Sequence, residues 1–245
     1  MTLPRPLPLQ RPAWLRLRRH CQLCDETTDH PRHDICTACE AELPWLGAHC
    51  QICALPLPAP GMICGACQKK PPAFARVEAP WRYAFPVDSL ITRFKHHAQW
   101  PFGRLLGELL AEHLQHAYDE GLPRPQALLA VPLARRRERQ RGFNQARMLA
   151  DWLSRALQIP APDDWLSRTL DTPAQQGLDA ATRKRNLRQA FVVDAAERVE
   201  GLHLALVDDV LTTGATANML ARLLLRAGAA RVDVYCLART PPPGG

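Results

Sequence analysis

Up to residue 70 the chain sustains no apolar period. Past Lys69-Lys70-Pro71-Pro72 it does, so these four residues read as a domain boundary. Residues 88–99 and 102–119 carry apolar positions at helical spacing; in the second, Leu105, Leu106, Leu109, Leu110 and Leu114 line one face. Ala127–Val131 is a short apolar run stopped by Pro132 and reads as a buried strand. Arg147–Leu157 predicts an amphipathic helix, Trp165–Leu170 and Phe191–Val193 weak strands, and Leu202–Val207 a strong one. Thr216–Ala227 then predicts a helix with Gly228 as its C-cap, and Val232–Leu237 the next strand. Apolar strands alternating with helices specify an α/β fold, a mainly parallel sheet flanked by helices.

Ahead of the boundary the chain is rich in cysteine and poor in large apolar side chains. Eight of the nine Cys form four C-x-x-C pairs, Cys21/Cys24, Cys36/Cys39, Cys50/Cys53 and Cys64/Cys67, with 11, 10 and 10 residues between them. A C-x-x-C turn presents two sulfurs to one metal, and a gap of that size suits a short hairpin returning a second pair. Two tetrahedral S₄ zinc sites result. The simplest partition gives the first four Cys to one ion and the last four to the other, with interleaved pairing as the alternative. Structural zinc supplies about 10–16 kcal/mol per site, which such a segment needs to fold. Disulfides and an iron–sulfur cluster are the rival uses, and evenly spaced pairs in a chain without an export signal favour zinc over both. His20 and His49 each precede a Cys and read as neighbours of the ligands or surface residues; Cys236 falls mid-strand and reads as a buried core thiol.

The richest stretch is Leu204–Thr216, LALVDDVLTTGAT. An apolar strand runs into Asp208 and Asp209, and the small residues Thr212, Thr213, Gly214, Ala215 and Thr216 lead into a helix. Two carboxylates accept hydrogen bonds from two ribose hydroxyls, and a Thr/Gly turn at a helix start offers N–H groups and hydroxyls to a phosphate. In an open parallel sheet such ligands bind beyond the carboxyl ends of the strands. The plain alternative is a capped helix with Thr212 or Thr213 as N-cap. No G-x-x-x-x-G-K-[ST] and no G-x-G-x-x-G follows a strand, so an ATPase or dinucleotide site is not supported.

Two basic segments accompany this motif. Val131–Ala146, VPLARRRERQRGFNQA, reads as a loop with Arg135, Arg136, Arg137, Arg139 and Arg141. Arginines there suit pyrophosphate by bidentate contacts or a DNA backbone, and a solvated basic loop is the bland reading. Asn144 is placed to cap the following helix; Phe143 reads as core, with a base-stacking platform as the alternative. Arg168–Phe191 is a polar insertion with Arg183, Lys184, Arg185 and Arg188, read as a lid over a leaving pyrophosphate or as a basic surface helix.

VDDVLTTGAT resembles the phosphoribosyl pyrophosphate (PRPP) motif of type I phosphoribosyltransferases, without departure. Four C-x-x-C pairs, Lys95 in FKHH, RGFNQA, Gln176, Arg183, Asn186 and Phe191, and then VDDVLTTGAT together resemble the ComF (ComFC-like, GntX-like) competence family over about residues 20 to 240. The resemblance implies a basic N-terminal arm (1–19), a double zinc ribbon (20–70) and a type I phosphoribosyltransferase-like domain (75–240). It further implies that Asp208 and Asp209 bind the ribose hydroxyls of PRPP, that Thr212–Thr216 wrap its 5-phosphate, and that Mg²⁺ accompanies the pyrophosphate. Arg135, Arg136 and Arg183 would hold that pyrophosphate. The family's link to DNA uptake implies single-stranded DNA as a partner, with a DNA-uptake helicase as a further candidate.

Charge and hydropathy add little to this. The formal charge is +7, but eight thiolates around two Zn²⁺ remove four charges, leaving +3, so local charge carries any nucleic-acid argument. No apolar run approaches a membrane span, and the five Arg before His20 interrupt any signal-peptide core, so a cytoplasmic protein without membrane insertion is expected. The expectation is a PRPP- and DNA-binding protein with phosphoribosyl transfer to an unread acceptor. The alternative is a non-catalytic DNA-binding or adaptor module that uses the PRPP site as a sensor.

Overall fold

The computed structural model describes residues 19–169 and 190–241, in two compact units that divide between Glu42 and Leu43. In the first unit, α1 (Thr37–Ala41) starts at Cys36, whose Sγ accepts the Cys39 N–H at 3.4 Å. The Asp29 carboxylate takes the N–H and hydroxyl of Thr37 at 2.8 and 2.5 Å, which holds its pKa below the usual carboxylate range. Ile35 is fully buried there.

The second unit begins with the last two Cys pairs and α2 (Gly65–Lys69), then β1 (Arg76–Glu78) and β2 (Trp81–Arg82). Helices α3 (Val87–His97) and α4 (Trp100–Asp119) precede β3 (Ala127–Ala130), α5 (Arg135–Arg141) and α6 (Gln145–Leu157). β4 (Leu166–Arg168), β5 (Phe191–Val193) and α7 (Ala196–Val199) lead to β6 (His203–Leu211), α8 (Ala215–Arg226) and β7 (Arg231–Arg239). The main sheet is parallel in the order β1-β7-β6-β3, with β2 also on β7. β4 and β5 form a separate antiparallel pair.

Alternation along the strands divides the core. Leu204, Leu206, Val232, Val234 and Cys236 share one cluster with Ala217, Leu220 and Leu224 of α8. The intervening Ala205 and Val207 are also fully buried, and α6 packs on β3 and β6. The expected leucine face of α4 is buried throughout. α8 ends with Gly228 (φ 101°) one residue past its cap, where the N–H groups of Gly228 and Ala229 close on Leu225 and Leu224. Leu46 and Ala54, from the second pair of Cys turns, belong to the same core as the sheet. The Lys69–Pro72 break is the approach to β1.

Three local expectations change. The Arg run is helical rather than a loop: its residues are good helix formers, and Gly142 (φ 82°) supplies the left-handed stop. β6 continues four residues past Val207, because its ladder to β7 persists to Leu211↔Arg239. β1 and β2, three and two residues long, are too short to leave an apolar period. Residues 170–189, with the proposed lid and Gln176, Arg183, Lys184, Arg185, Asn186 and Arg188, lie outside the described residues, as does the arm up to residue 18.

Candidate functional site

The Cys ligand atoms form two groups, Cys21/Cys24/Cys36/Cys39 and Cys50/Cys53/Cys64/Cys67, each within 4.8 Å. The partition is therefore sequential. A tetrahedral S₄ site with Zn–S of about 2.3 Å needs sulfurs about 3.8 Å apart; Cys24–Cys36 and Cys53–Cys64 stand at 3.8 and 3.7 Å. Both donor sets fit structural zinc. Burial opposes ionisation of Cys21 and Cys50, yet N–H groups from Cys24 and Cys36 bring the first to about 6, and those from Cys64 and Cys53 bring the second to about 7. His20 and His49 instead bond the carbonyls of Asp25 and Gly47.

β3 ends opposite Val207, so Asp208 and Asp209 emerge past its carboxyl end while still on the β7 side of the ladder. Adjacent strand positions face opposite ways. Asp209 pairs with Lys95 Nζ of α3 at 2.9 Å, and its second oxygen accepts the Val210 N–H at 2.7 Å. Asp208 Oδ1 accepts the Asp209 N–H. Burial, then the Asp209 charge, push Asp208 up to about 8, with Lys95 pulling the other way. Lys95 is itself placed by buried Gln145, whose amide donates to the Lys95 carbonyl at 3.4 Å and whose oxygen accepts from Arg141 at 3.2 Å.

Beyond Leu211 the chain turns through Thr212–Gly214. Gly214 (φ 71°) caps α8 in a left-handed conformation; a Cβ there meets no atom closer than 3.7 Å, so the backbone angle rather than space requires glycine. Thr213 Oγ1 accepts the Ala215 N–H at 3.3 Å. Beneath the turn lies buried Arg239. It donates Nη1 to the carbonyls of Leu211 (3.1 Å), Thr212 and Thr240, and Nε to the Cys53 carbonyl (2.8 Å).

Residues 16–68 match the model of the double zinc ribbon domain. The chain is 37% identical over 221 residues to DNA utilization protein YhgH of Salmonella typhi, covering 90% of this chain and 96% of that one. It is 33% identical to competence protein F of Haemophilus influenzae, covering 89% and 96%. The chain belongs to the ComF family. A solved glutamine PRPP amidotransferase of B. subtilis overlaps 55% of this chain and 25% of its own at 21% identity and a TM-score of 0.38, too partial to extend the topology above.

In this ComF chain the basic segment is split by α5. Arg135 lines a cavity of about 360 Å³ with Ala130, Asn144, Arg147, Ser167 and Arg168, apart from the 208–216 motif. Arg136 is exposed on α5. Arg141 is linked through Gln145 and Lys95 to Asp209 of the carboxylate pair. Asn144 caps α6 through the Ala146 N–H, and its amide holds the Val131 carbonyl. Phe143 is half-buried, 5.7 Å from Phe94, and meets the half-exposed Trp100 edge-on at 6.4 Å. Gln145 and Arg239 escaped the sequence reading. The one available signal for Arg239 was a cation ending an otherwise apolar strand, VYCLAR.

Proposed function

We propose that this ComF-family chain acts in DNA uptake or utilization by binding PRPP, as its Mg²⁺ complex, together with single-stranded DNA. One observation carries the reading: a carboxylate pair, with Asp209 held by Lys95, leads directly into a glycine-capped turn whose Leu211 and Thr212 carbonyls are bonded by Arg239. The ribose hydroxyls fit Asp208 and Asp209, and the 5-phosphate fits Thr212, Thr213, Gly214, Ala215 and Thr216. Near neutral pH Asp208 is largely protonated, so it both donates to and accepts from a ribose hydroxyl.

In transfer, the C1–O bond to pyrophosphate breaks with its electron pair on the leaving group. The acceptor's lone pair forms the new C1 bond, and the acceptor's proton passes to solvent or to the departing pyrophosphate. Asp208 and Asp209 orient the ribose, and the Asp209 carboxylate stabilises positive charge developing on the ring. Arg135 and Arg136, which follow β3, would reach the departing pyrophosphate from the side opposite the 208–216 turn, and Arg183, outside the described residues, is proposed to join them. A single strand fits the cleft between the end of α3 and α5, where His96, Ala98, Arg137, Gln140 and Arg141 line a cavity of about 250 Å³; Ala98 lies two residues before the half-exposed Trp100. Phosphates suit the cations and a base suits the indole face. A cytoplasmic site and a DNA-uptake helicase partner complete the proposal. No helix among the described residues is long and apolar enough to cross a membrane.

The test is titration calorimetry with PRPP and Mg²⁺. Asp208→Asn with Asp209→Asn should abolish binding while leaving melting cooperative; unchanged affinity would sink the site. Pyrophosphate release with a panel of bases and amines then separates turnover from sensing. Salt-dependent binding of an oligothymidylate tests the DNA surface.

A further inference from the structure

The acceptors of Arg239 belong to two places that sequence keeps far apart. Leu211 and Thr212 open the phosphate turn, and Cys53 is a ligand of the second Cys₄ group. The guanidinium is buried, and each of its bonds is to a backbone carbonyl rather than a carboxylate. A buried cation of this kind tolerates little displacement of its acceptors, since each lost bond leaves charge unsatisfied. In a trans peptide the C=O of one residue and the N–H of the next point in opposite directions. With the carbonyls of Leu211 and Thr212 drawn to Arg239, the N–H groups of Thr212 and Thr213 point to the other side, where a phosphate would lie. The fourth bond fixes the Cys50–Cys53 turn, whose N–H and sulfur groups define half of the metal site.

We propose that Arg239 is a positioning residue that couples zinc at the second Cys₄ group to ligand at the 212–216 turn, so that each strengthens binding of the other. The proposal rests on the PRPP reading of that turn. Zinc on the Cys53 thiolate would fix the backbone of that turn; the Cys53 carbonyl accepts from Arg239 Nε, and Nη1 of the same guanidinium holds the carbonyls that orient the phosphate donors. Because the coupling is a free energy between two binding events, it acts equally in both directions. It concerns one ion of two: Cys53, and none of Cys21, Cys24, Cys36 or Cys39, carries the carbonyl that Arg239 holds.

The experiment follows zinc release from the full-length holo-protein with a colorimetric chelator, with and without saturating PRPP and Mg²⁺. PRPP should slow release of one zinc about tenfold and leave the other unchanged. Arg239→Lys keeps the charge but loses the fork; it should abolish that slowing, release one zinc faster without ligand, and weaken PRPP binding about tenfold. Calorimetry on the wild type separates the two failures. If PRPP binds and neither zinc responds, the coupling is refuted and the site stands. If PRPP does not bind, the reading of the turn falls and takes the coupling with it. The wild-type comparison decides the matter even if Arg239→Lys does not fold.

Discussion

The two Cys₄ groups have the same ligands, nearly the same spacing and nearly the same sulfur–sulfur distance, 3.8 against 3.7 Å. Their surroundings differ. The first sits in a unit whose other anchors are local, such as the Asp29–Thr37 pair and Ile35. The second lies in the sheet's unit: Leu46 and Ala54 enter the sheet core, Ile52 and Cys53 pack against it, and Arg239 bonds the Cys53 carbonyl. One motif thus serves as a closed local staple in one place and as a structural part of a ligand-binding sheet in the other.

The largest effect that separates them is loss of metal. Cys50→Ser with Cys53→Ser should remove one zinc, destabilise the sheet unit by up to about 10 kcal/mol and eliminate PRPP binding. Cys21→Ser with Cys24→Ser should remove one zinc and leave PRPP affinity within about twofold. Metal analysis, calorimetric melting and titration read both, and equal losses from the two variants would erase the distinction.

Next in size is the pH response. Asp208 has its folded pKa raised to about 8 from 3.8. Below about pH 4 it is protonated in both states and its contribution is fully present. As pH rises from about 4 through 8 the unfolded chain loses the proton first, so the contribution is lost. Asp208→Asn should flatten that fall and stabilise the sheet unit at pH 8 by up to about 5 kcal/mol. Parallel melting curves for wild type and variant from pH 5 to 8 would contradict it. Smaller still, Leu46→Ala should cost about 2–4 kcal/mol in the melting of the sheet unit, because its side chain fills the sheet core. A loss below about 0.5 kcal/mol would mean that the second ribbon merely rests on that core.

Legibility followed length and chemistry. α4 and α8 were readable because twelve or more residues repeat one apolar stripe, and the eight Cys because ligand spacing is local. β1 and β2 were not, since they exist through pairing with β7 and carry no period of their own. The Asp pair was legible as residue types. Its division between two faces depended on β6 continuing through it along β7, and its Lys95 partner on α3 reaching Asp209, neither of which a local pattern encodes. The Arg-rich segment misled for a related reason: a run of cations looks like a loop, yet each residue favours helix once Gly142 stops it.

The short strand β2 pairs with β7 on one side. Its far side does not face solvent as a bare ladder: Trp45 bridges Trp81, the Leu46 N–H reaches the Pro80 carbonyl, and the Arg82 N–H reaches the Pro44 carbonyl. Residues 44–46, which lead into the second metal turn, act as a selvedge that finishes the sheet. Stripping zinc from that turn therefore frays a β edge able to recruit other chains. The damage should register as concentration-dependent self-association, visible by light scattering, before the rest of the sheet melts.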